Sequence, residues 1–268
     1  MEKSINRVLL RIKTEFENAI LSATLDSKTY QNGNLAKQAL IRSQRLIGYI
    51  HEDIKNELVK NGINPNNIFP PPRTITPEIK IKGFLKSKNQ DISVSPYVNL
   101  LSASKRVSVK WEEVMTINIR SQLSSLQKNI DTLYERTFAE ALNLHLKYPK
   151  QVLGEVYLIP THEYDDISMK NNKVRFKKVS KIEEYIKMFQ QINDRESSGV
   201  DEYKYERVCL LISDFRKDPP KLYQTTQSLI ENGLISDNRL EVEKLSYDTF
   251  VKDLLAIYSL RFNGDRLS

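Results

Sequence analysis

One cysteine in 268 residues leaves nothing to pair with, so no internal disulfide is possible. Cys209 sits in the apolar run Val208-Cys209-Leu210-Leu211-Ile212, where a thiol reads as a buried strand residue and not as a nucleophile. No apolar run approaches the roughly 20 residues that cross a bilayer. The segment Met1-Glu2-Lys3-Ser4-Ile5-Asn6-Arg7 lacks the apolar stretch of a secretory signal. The expectation is a cytoplasmic protein with no membrane partner. There is no Gly-x-x-x-x-Gly-Lys-Ser/Thr phosphate loop, no Gly-x-Gly-x-x-Gly and no Cys-x-x-Cys, which takes most of the weight from nucleotide-driven and zinc-finger readings. His51-Glu52 is not a zinc-protease motif, because Lys55 stands where the second histidine would fall. Internal repeats and low-complexity tracts are absent as well.

What is present is an ordinary globular composition, 40% hydrophobic and 28% charged, enough for one large core or a core with a smaller appended domain. The net charge of +7 is compatible with a polyanionic partner without identifying one. Ile5, Val8, Leu9, Ile12, Phe16 and Ile20 recur at helical spacing, and a second helical stripe runs from Leu35 to Leu58 before stopping at Asn61-Gly62. Pro70-Pro71-Pro72 and Pro77 then force an extended connection, read as a linker over 62–78. Strands are expected over 79–85, 91–95 and 114–119, the last two separated by a loop containing Ser102 to Arg106. A helix follows over 124–146, ended by Pro149, and then a strand over 152–159 that is apolar on both parities apart from Glu155. Further on, the pattern predicts a helix near 182–192, a strand near 205–213, and helices near 225–232 and 247–261. The fold class is therefore α/β, mixed α+β, with helices on both sides of a central sheet. Three parts are expected: an N-terminal helical segment over 1–78, a core over 79–215 and a C-terminal helical segment over 216–268.

The chemistry gathers between Lys82 and Pro160. Asp91 opens a strand just after Lys86 and Lys88, so a carboxylate able to bind Mg²⁺ lies beside cations that attract a phosphate backbone. Taken alone it would be a turn aspartate among solvated lysines. In Ile117-Asn118-Ile119-Arg120 the alternation puts Asn118 and Arg120 on one face, with Gln122 continuing that parity if the strand extends. Glu52 on the second helix, and Glu135 and Glu140 on the later one, are each able to complete a metal cage with Asp91, though single helix glutamates are more often solvated. His145 lies near a helix end, and His162 sits beside Glu163, Asp165 and Asp166 in what reads as a solvated acidic turn.

Four segments in order carry a resemblance: Lys86-Ser87-Lys88-Asn89-Gln90-Asp91-Ile92-Ser93-Val94, Ile119-Arg120-Ser121-Gln122-Leu123-Ser124-Ser125, Glu135-Arg136-Thr137-Phe138-Ala139-Glu140, and Gly154-Glu155-Val156-Tyr157-Leu158-Ile159-Pro160. Together, within residues 41–215, they look like type II restriction endonucleases of the PD-(D/E)xK superfamily. The resemblance implies a restriction-endonuclease-like αβββαβ core, Mg²⁺ as cofactor, a homodimer on a palindromic double-stranded DNA site, and a DNA methyltransferase as genetic partner. By position, Asp91 matches the first metal-binding aspartate, Glu52 the helix glutamate found in part of the superfamily, and Arg120 the final lysine. Where the pattern has Glu/Asp-x-Lys this chain has Asn118-Ile119-Arg120, so Glu135 is expected to replace the missing acid. Asn118 offers a metal only a neutral carbonyl, and Arg120 can steady charge but not act as a base. The resemblance thus makes Asp91, Arg120, Glu135 and Glu52 the expected catalytic residues. Asp91, Asn118, Glu135 and Glu52 are the expected metal ligands, and Lys86, Lys88, Gln122 and Lys110 the expected DNA contacts. A competing placement puts the catalytic strand at Ser108-Val109-Lys110, or at Lys110 with Glu112, and keeps a true lysine. Two rivals remain: a sequence-specific DNA-binding protein that keeps the scaffold without cleavage, and a basic scaffold with a protein partner.

Overall fold

Ile5, Leu9, Ile12, Phe16 and Ile20 share one side of a helix, and burying that side is what holds α1 (Ser4–Ser22) in place. The structure, a computed structural model, describes residues 4–74, 78–97, 109–124, 130–179, 181–196 and 200–267. After a small hairpin of β1 (Thr24–Leu25) and β2 (Lys28–Thr29), the second helical stripe is cut into α2 (Gly33–Arg42) and α3 (Arg45–Lys60). The sequence reads there as one helix. The break falls at Gln44, whose φ of 58° is left-handed, while the Ser43 hydroxyl donates to Leu40 O and accepts from the Arg45 N–H. A left-handed non-glycine residue costs about 1–2 kcal/mol, and the buried Leu40, Leu46, Ile50 and Ile54 on either side offset it.

Inside the expected linker, β3 (Ile68–Phe69) is a strand at the edge of the main sheet. The expected strand over 79–85 is shorter and is not in that sheet. It is β4 (Ile79–Lys82), which turns at Gly83 and returns as β5 (Ser87–Gln90) in a separate antiparallel hairpin. The chain continues through β6 (Ile92–Val94), β7 (Met115–Ser121) and α4 (Ile130–His145). Then come β8 (Leu153–Pro160), β9 (His162–Tyr164), α5 (Asp166–Lys170), β10 (Phe176–Val179) and α6 (Ile182–Gln191). The last elements are β11 (Arg207–Asp214), β12 (Lys221–Tyr223), α7 (Thr226–Glu231) and α8 (Tyr247–Arg261). The loop containing Ser102 to Arg106 and the expected helix start at 125–129 lie outside the described residues.

The main sheet has six strands in the order β12-β11-β8-β7-β6-β3. β7, β8 and β11 run parallel, β6 runs antiparallel to both β7 and β3, and β12 is antiparallel to β11. All of β8 is buried, as its two-sided apolar pattern predicts for a strand covered on both faces. On one side, Ile117, Ile119, Val156, Leu158, Cys209 and Leu211 pack against α1, α3 and α8. On the other, Leu153, Tyr157, Ile159, Leu210 and Ile212 pack against α4 and α6. The molecule is mixed α/β with helices on both faces of a mixed sheet. Cys209 is fully buried on β11, and burial pushes its thiol well above the ordinary range, as expected of a packing residue. Among the described residues, no helix is long and apolar enough to cross a membrane.

Candidate active site at the end of the central strand

Because β6 runs against β7, with Ile92 opposite Ile117, the residue just before β6 comes to rest beside the middle of β7. Asp91 therefore meets Asn118 and Ile119. Its Oδ2 accepts the Ile119 N–H at 2.6 Å, and its own N–H donates to Asn118 Oδ1 at 3.2 Å. The Asn118 amide in turn donates to Gln90 Oε1 at 3.1 Å. Both ends of Asn118 are thus taken, and it acts as a brace that fixes Asp91. Around this corner opens a cleft of about 490 Å³, walled by the start of α3, the β5 strand, the end of β7 and one side of α4. His51, Glu78, Lys88, Asp91, Arg136 and Glu140 line it with Asn118, Arg120 and Gln122.

The parallel register places Asn118 beside Glu155 and Arg120 beside Tyr157, all facing α4. Arg120 is consequently enclosed. Its guanidinium meets Glu155 at 3.2 Å, the Tyr157 hydroxyl at 2.8 Å and Thr137 Oγ1 at 3.3 Å, and pairs with the Glu140 carboxylate. Burial opposes the Arg120 charge, and Glu155, Tyr157 and Glu140 more than restore it. Lys88 approaches the same Glu140 at 3.3 Å. Negative charge is still under-compensated. Burial pushes the Asp91 carboxyl up to about 7; the Ile119 N–H and Arg120 oppose that rise while Glu78 and Glu140 add to it. Burial also raises Glu155 well above the carboxylate range, against the pull of Arg120. His51 moves the other way, down to about 4, through burial and then Lys55, with Glu52 opposing, so its imidazole is neutral at pH 7. The His51 Nε2 lies 3.7 Å from Asp91 Oδ2 and finds no hydrogen-bond partner among the described residues.

Of the residues singled out by sequence, Asp91, Asn118, Arg120, Gln122 and Lys88 converge on the cleft. Four others do not. Glu52 turns aside, its carboxylate accepting from Lys55 at 2.8 Å and from the Arg73 N–H at 2.8 Å. Glu135 is exposed on α4, and Glu140, weighed with it but not assigned, is the glutamate that enters the cleft. Lys110 is 68% exposed and pairs with Glu113 at 3.2 Å; of the competing segment Ser108 lies outside the described residues, and Val109, Lys110 and Glu112 form no strand and do not line this cleft. Lys86 is exposed at the turn of the β4–β5 hairpin. Sequence reasoning missed His51, Glu78 and Glu155. His51 is one position from Glu52, a rotation of about 100° on a helix that exchanges cleft for flank. Glu155 was visible only as the one charge in an apolar strand. His145 is buried between the Gln151 and Glu202 carbonyls. The segment expected as a solvated acidic turn is only partly so: His162 is buried on strand β9, while Asp165 caps α5 and Asp166 pairs with Lys177.

Among the described residues, no three His, Cys, Asp or Glu side chains stand close enough together to hold a metal ion without moving. The donor chemistry nevertheless fits a divalent cation. The cleft holds a buried carboxyl, Asp91, whose proton is hard to remove, beside a neutral imidazole nitrogen that lacks a partner among the described residues, and a bound cation would relieve both. Compared with known proteins, the chain matches no family model, no curated protein and no solved structure.

Proposed function

We propose that this chain is a Mg²⁺-dependent, site-specific double-stranded DNA endonuclease of the PD-(D/E)xK type, hydrolysing phosphodiester bonds in a restriction-modification system. The observation that carries the reading is the buried acid Asp91 at the joint of β6 and β7, in an open cleft that also presents Lys88 and Arg136. The strand arrangement supports it: antiparallel β6 between β3 and β7, then α4 and the parallel strand β8, follow the order expected of an αβββαβ core after helix α3. A cation bound at this corner would offset charge on a phosphate and acidify water. Asp91 and Glu140, with His51 Nε2, are the groups that would hold it. Lys88 and Arg136 draw the DNA backbone into the cleft. Asn118 holds Asp91 in register, and Arg120 pairs with Glu140 and Glu155 and holds them in place rather than touching the phosphate itself. Such an enzyme would be cytoplasmic, would act as a homodimer on a palindromic site, and would be encoded with a DNA methyltransferase.

One observation favours a second reading, a DNA-binding protein on the same scaffold without cleavage: Arg120 and Asn118 are fully engaged with protein groups. Plasmid incubation with Mg²⁺, Mn²⁺ or EDTA separates the two. Discrete fragments with either metal and none with EDTA, lost in Asp91→Ala, support the nuclease. Uncut plasmid with salt-sensitive binding supports the second reading, and no DNA binding at all removes both.

A further inference from the structure

The β4–β5 hairpin is built in an unusual way for a surface turn. Its tip carries two large apolar side chains, Phe84 at 60% and Leu85 at 83% exposure, where turn tips ordinarily carry small polar residues. The backbone beneath them is fixed. Gly83 N–H donates to Lys86 O at 3.0 Å, Phe84 N–H to Asn143 O at 2.7 Å, and the N–H groups of Leu85 and Lys86 to Asn143 Oδ1 at 2.8 and 3.1 Å. Asn143 Nδ2 returns a bond to Lys86 O, while Lys147 and Tyr148 both donate to Lys82 O. A Cβ on Gly83 would fall 2.1 Å from Asn143 Nδ2, so only glycine lets the turn sit this close to α4. The tip is a rigid mount for two side chains that its own fold leaves uncovered.

Charge says what covers them. Residues 79–90 contain four lysines and no acid, with Lys80, Lys82 and Lys86 exposed around the tip and Lys88 in the cleft. From Leu85 to Lys88 is three residues, or about 10 Å of extended chain at about 3.3 Å per residue. That is close to three base steps of about 3.4 Å. Building on the nuclease reading, we propose that Phe84 and Leu85 form a wedge that enters duplex DNA between base pairs a few steps from the phosphate held in the cleft. The flanking lysines would seat on the two backbones. An aromatic and an aliphatic side chain on a rigid cationic mount match what minor-groove wedges use to unstack a base step and bend the helix. The bend would bring the scissile phosphate toward Asp91.

The test uses the full chain with plasmid-derived duplex fragments in Ca²⁺, with permanganate reporting unstacked thymines. Wild type is expected to create reactive thymines near its bound position. The double variant F84S/L85S, folded by circular dichroism because both sites are exposed, should lose those thymines and bind on the order of tenfold or more weakly at unchanged salt dependence. Lys82→Ala should keep the reactive thymines and reduce the salt slope by about one. Equal affinity and equal reactivity in wild type and double variant would overturn the wedge while leaving the nuclease reading intact. So would a double variant that loses only binding to phosphatidylserine vesicles, or only self-association in sedimentation. A wild-type chain that binds no duplex overturns both.

Discussion

Asp91→Asn is the most informative single change, because the burial of Asp91 among other acids sets the sign of its effect. Burial and the neighbouring acids move the Asp91 carboxyl from 3.8 to about 7. At about 1.4 kcal/mol for each tenfold change in proton affinity, the ionised side chain destabilises the folded state by about 4 kcal/mol. Between pH 4 and 7 the folded chain holds a proton that the unfolded chain has released. The contribution of Asp91 is therefore neutral below about pH 4, falls as pH rises through that window, and reaches its full penalty above about pH 7. Asparagine keeps an oxygen for the Ile119 N–H and offers His51 Nε2 a donor, but carries no charge. Urea denaturation at pH 5 and pH 8 should then show the variant gaining on wild type by about 2–4 kcal/mol as pH rises. Added Mg²⁺ should stabilise wild type more at pH 8 than at pH 5 and leave the variant unmoved, since a cation binds the ionised form. Parallel pH dependences in the two proteins, or equal stabilisation of both by Mg²⁺, would refute the argument that Asp91 is an under-compensated buried acid awaiting a cation.

The remaining expectations concern residues whose places differ from what the sequence suggested. Arg120→Met should cost about 3–5 kcal/mol by leaving Glu155 buried without its cation, and the loss should shrink at low pH, because burial already raises Glu155 and its neutral form needs no cation; a loss under about 1 kcal/mol in urea would mean that Arg120 is free of the acids. Lys110→Ala should leave both stability and plasmid cleavage near wild type, since its ammonium is exposed and is not part of the cleft lining; a folded but inactive variant would move the active site to the earlier segment. His51→Gln should weaken Mn²⁺ binding, measured by calorimetry without DNA, on the order of tenfold or more, while Glu52→Ala leaves it unchanged; the reverse order would restore Glu52 as the helix ligand.

Much of the fold was legible because the elements that matter most are long and strongly patterned. The stripe of α1, the two-sided apolar run of β8, and the periodic helices α4, α6 and α8 all follow from side-chain spacing alone. The failures are local and have local causes. α2 and α3 share one continuous apolar stripe, and only the left-handed Gln44, which no composition signal marks, divides them. The 62–78 stretch looked too rich in proline for a strand, yet Ile68 and Phe69 precede the cluster and pair as a two-residue edge, where proline's missing donor does no harm. In the β4–β5 hairpin, Gly83 was the only turn signal, and apolar Phe84 and Leu85 disguised the tip as a continuing strand.

The candidate site was legible to the extent that it lies along single strands. Alternation in β7 correctly sent Asn118 and Arg120 to one face, and the position of Asp91 at a strand start put it at the same sheet end. What sequence cannot supply is the side-by-side register of strands far apart in the chain. Only when β8 pairs in parallel with β7 does Glu155 fall next to Asn118, and Tyr157 next to Arg120, and only then is Arg120 seen to be enclosed by Glu155, Glu140, Thr137 and Tyr157. The same register explains why a lysine would serve poorly at position 120. A single ammonium cannot span two carboxylates and two hydroxyls on opposite sides, whereas a planar guanidinium reaches all four. Position 120 therefore positions the acids around it, and Lys88, which with Arg136 lines the cleft, is delivered from the hairpin whose tip carries Phe84 and Leu85.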